Sequence, residues 1–323
     1  MLASQFENIR VILAEPSTNL RAGIKDLLME RGFKNVLDTG NFADISSAVR
    51  DDQVDLLIGD TKLPEGDLSE MIHQIRHGEI GHNPFIVTIT LLNSSEPDLV
   101  HRVIDSGTDR ILVKPFNVAE IVDHIEFLTH SRKEFVVTTD YIGPNRRTTH
   151  RPGTMNIPQI EVPNPLRSRM TGQMTELRLK RSINSAMNII NEQKVLRHAF
   201  QIAWLMEKIT GADGNRPPDT ADSTISEYLE RLRFVSADIA KRIKHTRYAH
   251  VTDLCMTLVN LTETVARNGF IENDMQMIVN LSRVIQDACD DARTDVDTYR
   301  SKSQSDFEAR EKQPVAKKNS LLK

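Results

Sequence analysis

The sequence predicts two folds in succession: an α/β doubly wound five-stranded parallel sheet, then an all-α helical bundle. Three observations carry this. Short apolar runs rich in β-branched residues alternate with helical patterns through the first 130 residues. A Pro- and Arg-rich stretch then interrupts all periodicity. Beyond it, apolar spacings of three and four dominate as far as about residue 300.

The strands come in order. Ile9-Arg10-Val11-Ile12-Leu13-Ala14 is the first, and Val36-Leu37-Asp38-Thr39 a short second. Val54 to Gly59, Phe85 to Thr90 and Arg110 to Val113 complete five. Runs of this kind read as strands covered on both faces, which only a parallel sheet with helical crossovers provides. The helices between them are marked by Leu20, Ile24, Leu27 and Leu28; by Ile45, Ala48 and Val49; and by Leu68, Met71, Ile72 and Ile75. Leu99, Val103 and Ile104 mark a fourth, ended by Gly107. Val118, Ile121, Val122, Ile125 and Leu128 mark the last. The expected domain is 1–130.

Residues 131–173 are expected to be a linker. From Asp140 to Gly172 they hold Pro144, Pro152, Pro158, Pro163 and Pro165, a density at which no strand or helix pattern is visible. The stretch is basic, with Arg146, Arg147, Arg151, Arg167 and Arg169 against Asp140 and Glu161, and is expected to dock on the acidic surface before it. Four helices follow in an expected domain 174–300, as an intramolecular bundle or a coiled-coil homodimer. They run from Glu176 to Ile209, from Ile225 to Ile243, from Val251 to an end at Asn268-Gly269, and through Ile278, Leu281, Ile285, Ala288 and Ala292. The polar stretch 301–323 is expected to be a disordered tail.

Composition narrows the function. The chain has 323 residues with a net charge of −4, so it is no polycation for coating nucleic acid. Cys255 and Cys289 are its only cysteines, too few for a disulfide framework, and lack metal-ligand spacing. No apolar run is long enough for a bilayer span, and no signal pattern opens the chain, so a cytoplasmic protein without membrane partners is expected. The basic run Lys241 to Arg247 has neither a helix-turn-helix around it nor a stacking platform, so nucleic acid is not an expected partner. Trp204 and the methionines read as core fillers.

In an open parallel sheet the ligand site lies at the carboxyl ends of the strands. Glu15 follows the first strand, Asp60 the third, Thr90 ends the fourth and Lys114 the fifth. Two carboxylates on one rim suit Mg²⁺, with water and phosphate completing its shell, and an Asp carboxylate is a competent nucleophile toward phosphorus.

These residues resemble the CheY-like receiver domain of bacterial two-component response regulators, over about residues 8–130. Asp60-Thr61-Lys62-Leu63-Pro64 is similar to the family's phosphoacceptor Asp with Pro four residues on. Lys114-Pro115-Phe116 matches the Lys-Pro-Phe end of the last strand, where that bond is usually cis. Ser106-Gly107-Thr108-Asp109 matches the turn before it. The resemblance implies Asp60 as phosphoacceptor, Glu15 and Asp60 as Mg²⁺ ligands, and Lys114 as the site lysine. It also implies Thr90, or less strongly Thr88, as the hydroxyl that binds the phosphoryl group. The phosphodonor would be a histidine kinase or a phosphotransfer protein. Three positions depart: Ala14 where receivers often carry a second acid, Arg110 where they carry a switch aromatic, and Gly59 at a buried strand end.

Three readings of the output stay open. The chain is a phosphorylated switch signalling through its helices to a protein target, a degenerate scaffold, or a helical phosphatase of another receiver with Glu192, Gln193 or Glu207. The first is expected, and it makes the chain no enzyme in the usual sense. His198, His245 and His250 lack the Lys-Gly that follows a phosphotransfer histidine. Arg147 to Arg151 has the RxxxR spacing of cyclic-di-GMP sites without the barrel that such sites need.

Overall fold

A computed structural model describes residues 6–147, 157–172, 174–210, 223–268 and 273–289. The chain divides into two compact units, Met1–Gln193 and Lys194–Lys323.

The first unit is built on β1 (Arg10–Ala14), β2 (Asn35–Thr39), β3 (Leu56–Asp60), β6 (Val87–Leu92) and β7 (Arg110–Val113), all parallel in the order β2-β1-β3-β6-β7. Two-residue strands β4 (Lys62–Leu63) and β5 (Gly66–Asp67) form a small hairpin just after β3. The crossovers are α1 (Thr18–Glu30), α2 (Phe42–Arg50), α3 (Leu68–Arg76), α4 (Pro97–Asp105) and α5 (Val118–Ser131). Asn41, Asp67 and Asn117 cap α2, α3 and α5 by accepting a backbone N–H, as short polar side chains at helix starts do.

Side-chain alternation sorts the core into two layers. Val11, Leu13, Ile58, Ile89 and Leu91 pack with Ile24 and Leu28 of α1 and Ile121 and Ile125 of α5. Ile12, Ala14 and Leu57 pack with Ile45 and Val49 of α2 and Leu68, Met71, Ile72 and Ile75 of α3. The alternation also explains Gly59. It pairs with Ala14 in register, and a Cβ there would sit 2.7 Å from Leu68 Cδ2 and 3.1 Å from Ala14 Cβ.

The expectation of an irregular linker at 131–173 is corrected. β8 (Phe135–Val137) and β9 (Ile142–Pro144) form an antiparallel hairpin, Phe135 exchanges backbone hydrogen bonds with Ile160, and α6 (Pro165–Thr171) follows. Phe135, Val137, Ile142 and Ile160 are buried with Phe85 and with Leu179, Ile183, Ala186 and Ile190 of α7 (Glu176–Thr210). Proline density masked the pattern; the buried apolar residues between the prolines decide the structure. Gly107, at φ 85°, permits the close approach, since a Cβ there would collide with the Ile142 carbonyl. Residues 148–156, including Arg151 and most of the RxxxR spacing, lie outside the described residues.

Polar bonds fasten this segment at the amino ends of β6 and β7. The Asp109 carboxylate accepts from Arg76 Nη2 at 3.0 Å and from Arg132 Nε at 2.8 Å. Arg76 also donates to the carbonyls of Gly107, Pro84 and Ile86 and to Thr88 Oγ1, and Arg132 to those of Phe85 and Pro163. Both guanidiniums lie over the Phe135 ring, at 5.3 and 5.0 Å. Farther on, Arg169 Nε lies 3.4 Å from Asp55 Oδ2.

The second unit holds the remainder of α7 with α8 (Ser223–Arg242), α9 (Thr252–Asn268) and α10 (residues 273–289). Two 3₁₀ turns, Ile243–His245 and Ala249–Val251, join α8 to α9. Val195, Ile202, Leu232, Val235, Ile239, Leu258 and Ile278 lie in one buried cluster. Cys255 and Cys289 are buried and reduced, and burial first, then the neighbouring Cys289, pushes the Cys255 thiol up to about 12. Trp204 corrects an expectation. It is half-exposed, edge-on to Tyr228 at 5.8 Å, with Lys208 over its ring. The tail 301–323 lies outside the described residues. Among those described, no helix is long and apolar enough to cross a membrane.

His198 is fully buried, with Nε2 2.8 Å from Asp238 Oδ2, while Arg242 Nε donates to the same carboxylate at 2.9 Å. Its Nδ1 is buried without a partner. Burial lowers the His198 pKa, and the Asp238 hydrogen bond only partly opposes it. For Asp238, burial acts upward, but His198 and Arg242 outweigh it and hold the carboxyl well below its usual range. Both folded-state pKa values are therefore depressed, so both contributions are lost as pH falls. The His198 contribution is complete above its unfolded value of about 6.5 and declines below it. Urea unfolding followed by Trp204 emission should give a lower midpoint at about pH 5.5 than at about pH 7.5, and His198→Gln should flatten the difference. Equal midpoints in the natural chain would contradict this.

Candidate functional site

Parallel strands deliver their carboxyl ends to one rim, and the crevice beside β1 is where the strand order reverses. Glu15 follows β1 and Asp60 ends β3; both are buried. Lys114 follows β7 and reaches between them. Its Nζ lies 2.7 Å from Glu15 Oε2 and 2.5 Å from Asp60 Oδ2. The backbone N–H of Lys62 donates to Asp60 Oδ1 at 2.8 Å, and that of Ser17 to Glu15 Oε1 at 3.0 Å. Burial pulls the Lys114 pKa down, but hydrogen bonds to Asp60 and Glu15 outweigh it and raise the ammonium above its ordinary value. Lys114 is therefore a cation at neutral pH shared by two carboxylates. The Lys114-Pro115 peptide is cis.

Thr90 is not brought to this rim. Asp60 lies opposite Leu91 in the β3–β6 register, and Thr90 lies opposite Gly59. Successive side chains point to opposite faces, so Thr90 turns to the α3 layer. There its Oγ1 is 2.8 Å from Thr108 Oγ1, and Thr88 joins the same group at 3.2 Å. The expectation of either threonine as the site hydroxyl is corrected by this parity. Asn93 reaches the site instead: its Nδ2 donates to Asp60 Oδ2 at 3.0 Å. It shares the parity of Leu91, the strand partner of Asp60, and counting from that residue finds it in the sequence.

Ala14 supplies no donor, and its Cβ packs against the Gly59 side of the sheet. Among the described residues no group of three or more His, Cys, Asp or Glu side chains converges. The remaining pair still fits Mg²⁺, which is held by one or two carboxylates when water and phosphate oxygens fill the other positions. The Arg110 guanidinium lies over the Phe127 ring at 4.2 Å. Of the linker arginines, Arg146 donates to the Thr108 carbonyl and Arg147 is exposed.

A five-stranded parallel sheet with a buried Asp, a second acid and a lysine on its carboxyl rim defines a signalling receiver. Residues 11–126 match the response regulator receiver domain family. Over 125 residues the chain is 30% identical to the transcriptional regulatory protein PdtaR of Mycobacterium tuberculosis, covering 39% of this chain and 58% of that protein. It is 24% identical over 116 residues to the chemotaxis protein CheY of Bacillus subtilis, covering 36% of this chain and 93% of CheY. Among solved structures, the receiver domain of the Francisella response regulator 1452 aligns with a TM-score of 0.34 at 19% identity, covering 38% of this chain and 96% of that one. The chain thus carries a response regulator receiver domain of two-component signalling at residues 11–126, homologous to those of PdtaR and CheY. It spans 58% of the length of PdtaR.

Proposed function

We propose that the receiver is a working phosphorylation switch with Asp60 as its phosphoacceptor. The observation that carries this is the fully buried Asp60 carboxylate, with Lys114 Nζ at 2.5 Å and Glu15 sharing the same ammonium. An oxygen of Asp60 attacks the phosphorus of a phosphohistidine on a histidine kinase or phosphotransfer protein. The P–N bond breaks, its electron pair stays with the imidazole, and the imidazole takes a proton from solvent. Lys114 follows the negative charge from the carboxylate onto the phosphoryl oxygens, which keeps the buried rim close to charge balance. Glu15 and Asp60 would hold Mg²⁺, which neutralises phosphoryl charge when bound.

Phosphorylation replaces the single charge of the Asp60 carboxylate by the roughly −2 of an acyl phosphate, a net gain of about one negative charge beside a lysine that now bridges two acids. Lys114 is drawn from Glu15 toward the phosphoryl group, and β7 and its flanking helices α4 and α5 shift with it. The C-terminal helices pass the change to a protein target or to a second copy of the chain. The chain acts by binding and release, with the gain and loss of its own phosphoryl group as its chemistry.

Ala14 and the Lys114 bridge favour a second reading, a receiver whose two carboxylates are already tied by one ammonium and which serves as a fixed docking scaffold. Acetyl phosphate with Mg²⁺, followed by intact mass, separates the two. A gain of about 80 Da that disappears in Asp60→Ala is expected. No gain with acetyl phosphate or with a phosphorylated kinase would favour the scaffold.

A further inference from the structure

Resting on the phosphoacceptor reading of Asp60, we propose that Asn93 is a catalytic residue of this receiver, donating its amide N–H to the phosphoryl oxygens in place of a hydroxyl. Asn93 Nδ2 is 3.0 Å from Asp60 Oδ2, the oxygen that Lys114 also holds. The residues before it offer no alternative. Leu91 and Leu92 are buried and carry no donor, and the Thr90 hydroxyl is engaged with Thr108 on the other face of the sheet. The next side chain, Ser94, accepts the Glu96 N–H at the start of α4. Asn93 is itself exposed, so its amide stands at the open side of the buried carboxylate, where a phosphodonor must approach.

The chemistry asks for a donor there. As Asp60 oxygen bonds to phosphorus, the bond to the departing group breaks and takes its electron pair with it. That bond is P–N in phosphohistidine and P–O in acetyl phosphate. The three other phosphoryl oxygens hold the negative charge throughout, and Lys114 serves one side of them. A neutral amide serves another side without adding a charge to a rim that already holds two carboxylates and one ammonium. In hydrolysis, a water oxygen bonds to phosphorus and the P–O bond to Asp60 breaks. The electron pair returns to the carboxylate and the water proton passes to phosphate, so the same donor assists the return.

The test uses the full chain with acetyl phosphate and MgCl₂, read as the growth of the phosphorylated mass and, after removal of the donor, as its decay. Asn93→Ala should phosphorylate roughly tenfold more slowly, the rate equivalent of one hydrogen bond to a charged group. Asn93→Ser, which keeps a donor at that place, should recover most of the loss, and Thr90→Val should match the natural chain. Beryllium trifluoride, a stand-in for the phosphoryl group, should bind Asn93→Ala more weakly by a similar factor in calorimetry. Equal rates for Asn93→Ala and the natural chain would overturn the inference while leaving Asp60 as phosphoacceptor. So would a loss that Asn93→Ser does not recover, or an equal loss in Thr90→Val. Absence of any mass gain in the natural chain would overturn the phosphoacceptor reading and this inference with it.

Discussion

Asp109→Ala should cost the first unit about 3–5 kcal/mol, the usual effect of removing one member of a buried ion pair. Arg76 and Arg132 both end on this carboxylate, and their side chains are 0% and 4% exposed. Without it, two guanidiniums face each other beneath the Phe135 ring with no counter-charge and no route to water. Burial has already lowered the Arg76 pKa to about 10, with Asp109 opposing that fall, so the carboxylate is what keeps this charge tolerable. For Asp109, burial acts upward, but Arg132 and Arg76 outweigh it and leave the pKa lowered. This contribution is therefore complete above the unfolded carboxylate value of about 3.9 and is lost as pH falls further. Calorimetry of the full chain, with hydrogen exchange in residues 85–92 to identify the unit that melts, measures the loss. Asp109→Asn keeps the shape and should lose most of the same stability, because it restores the acceptor without the charge. A change of under about 0.5 kcal/mol in both variants would mean that water or relaxation replaces the carboxylate.

The same network shows why the chain was only partly legible. The five strands, their crossovers and the positions of Glu15, Asp60 and Lys114 follow from local patterns, because each depends on period and on the rule that parallel strands end on one rim. Thr90 was misplaced for a subtler reason. Residue type favoured it, but the face it occupies depends on register, and register is set by pairing with β3, which a single strand does not reveal. Asn93 was missed for the same cause. The segment after α5 was read from its prolines, yet its structure depends on partners distant in sequence: Phe135 on Phe85, Ile142 on Gly107, and Arg132 on Asp109. The four C-terminal helices were legible because three-and-four spacing is local. Their hydrogen-bonded core, His198 with Asp238, joins two helices and is not.

Lys114→Met should reduce phosphorylation by about 10²–10³-fold, the scale on which one preorganised charge donor acts on a developing oxyanion. It should also destabilise the receiver at neutral pH, and these two effects can be separated. In the natural chain the Lys114 pKa is raised by Asp60 and Glu15 against burial, so its stabilisation is complete below the unfolded lysine value of about 10.4 and is lost only as pH rises through the folded value. Methionine keeps the length and apolar stem but leaves Glu15 and Asp60 buried and facing each other. Two carboxylates so placed repel each other with no cation between them. The variant should therefore unfold at a lower urea midpoint than the natural chain at neutral pH. Adding Glu15→Gln to Lys114→Met removes one of the two charges and should restore much of the stability. It should restore none of the phosphorylation rate, because no cation then follows the charge onto the phosphoryl group. Recovery of rate in the double variant would assign Lys114 to holding the fold rather than to the transfer itself. An unchanged urea midpoint in Lys114→Met would place the carboxylates in water rather than in the buried rim.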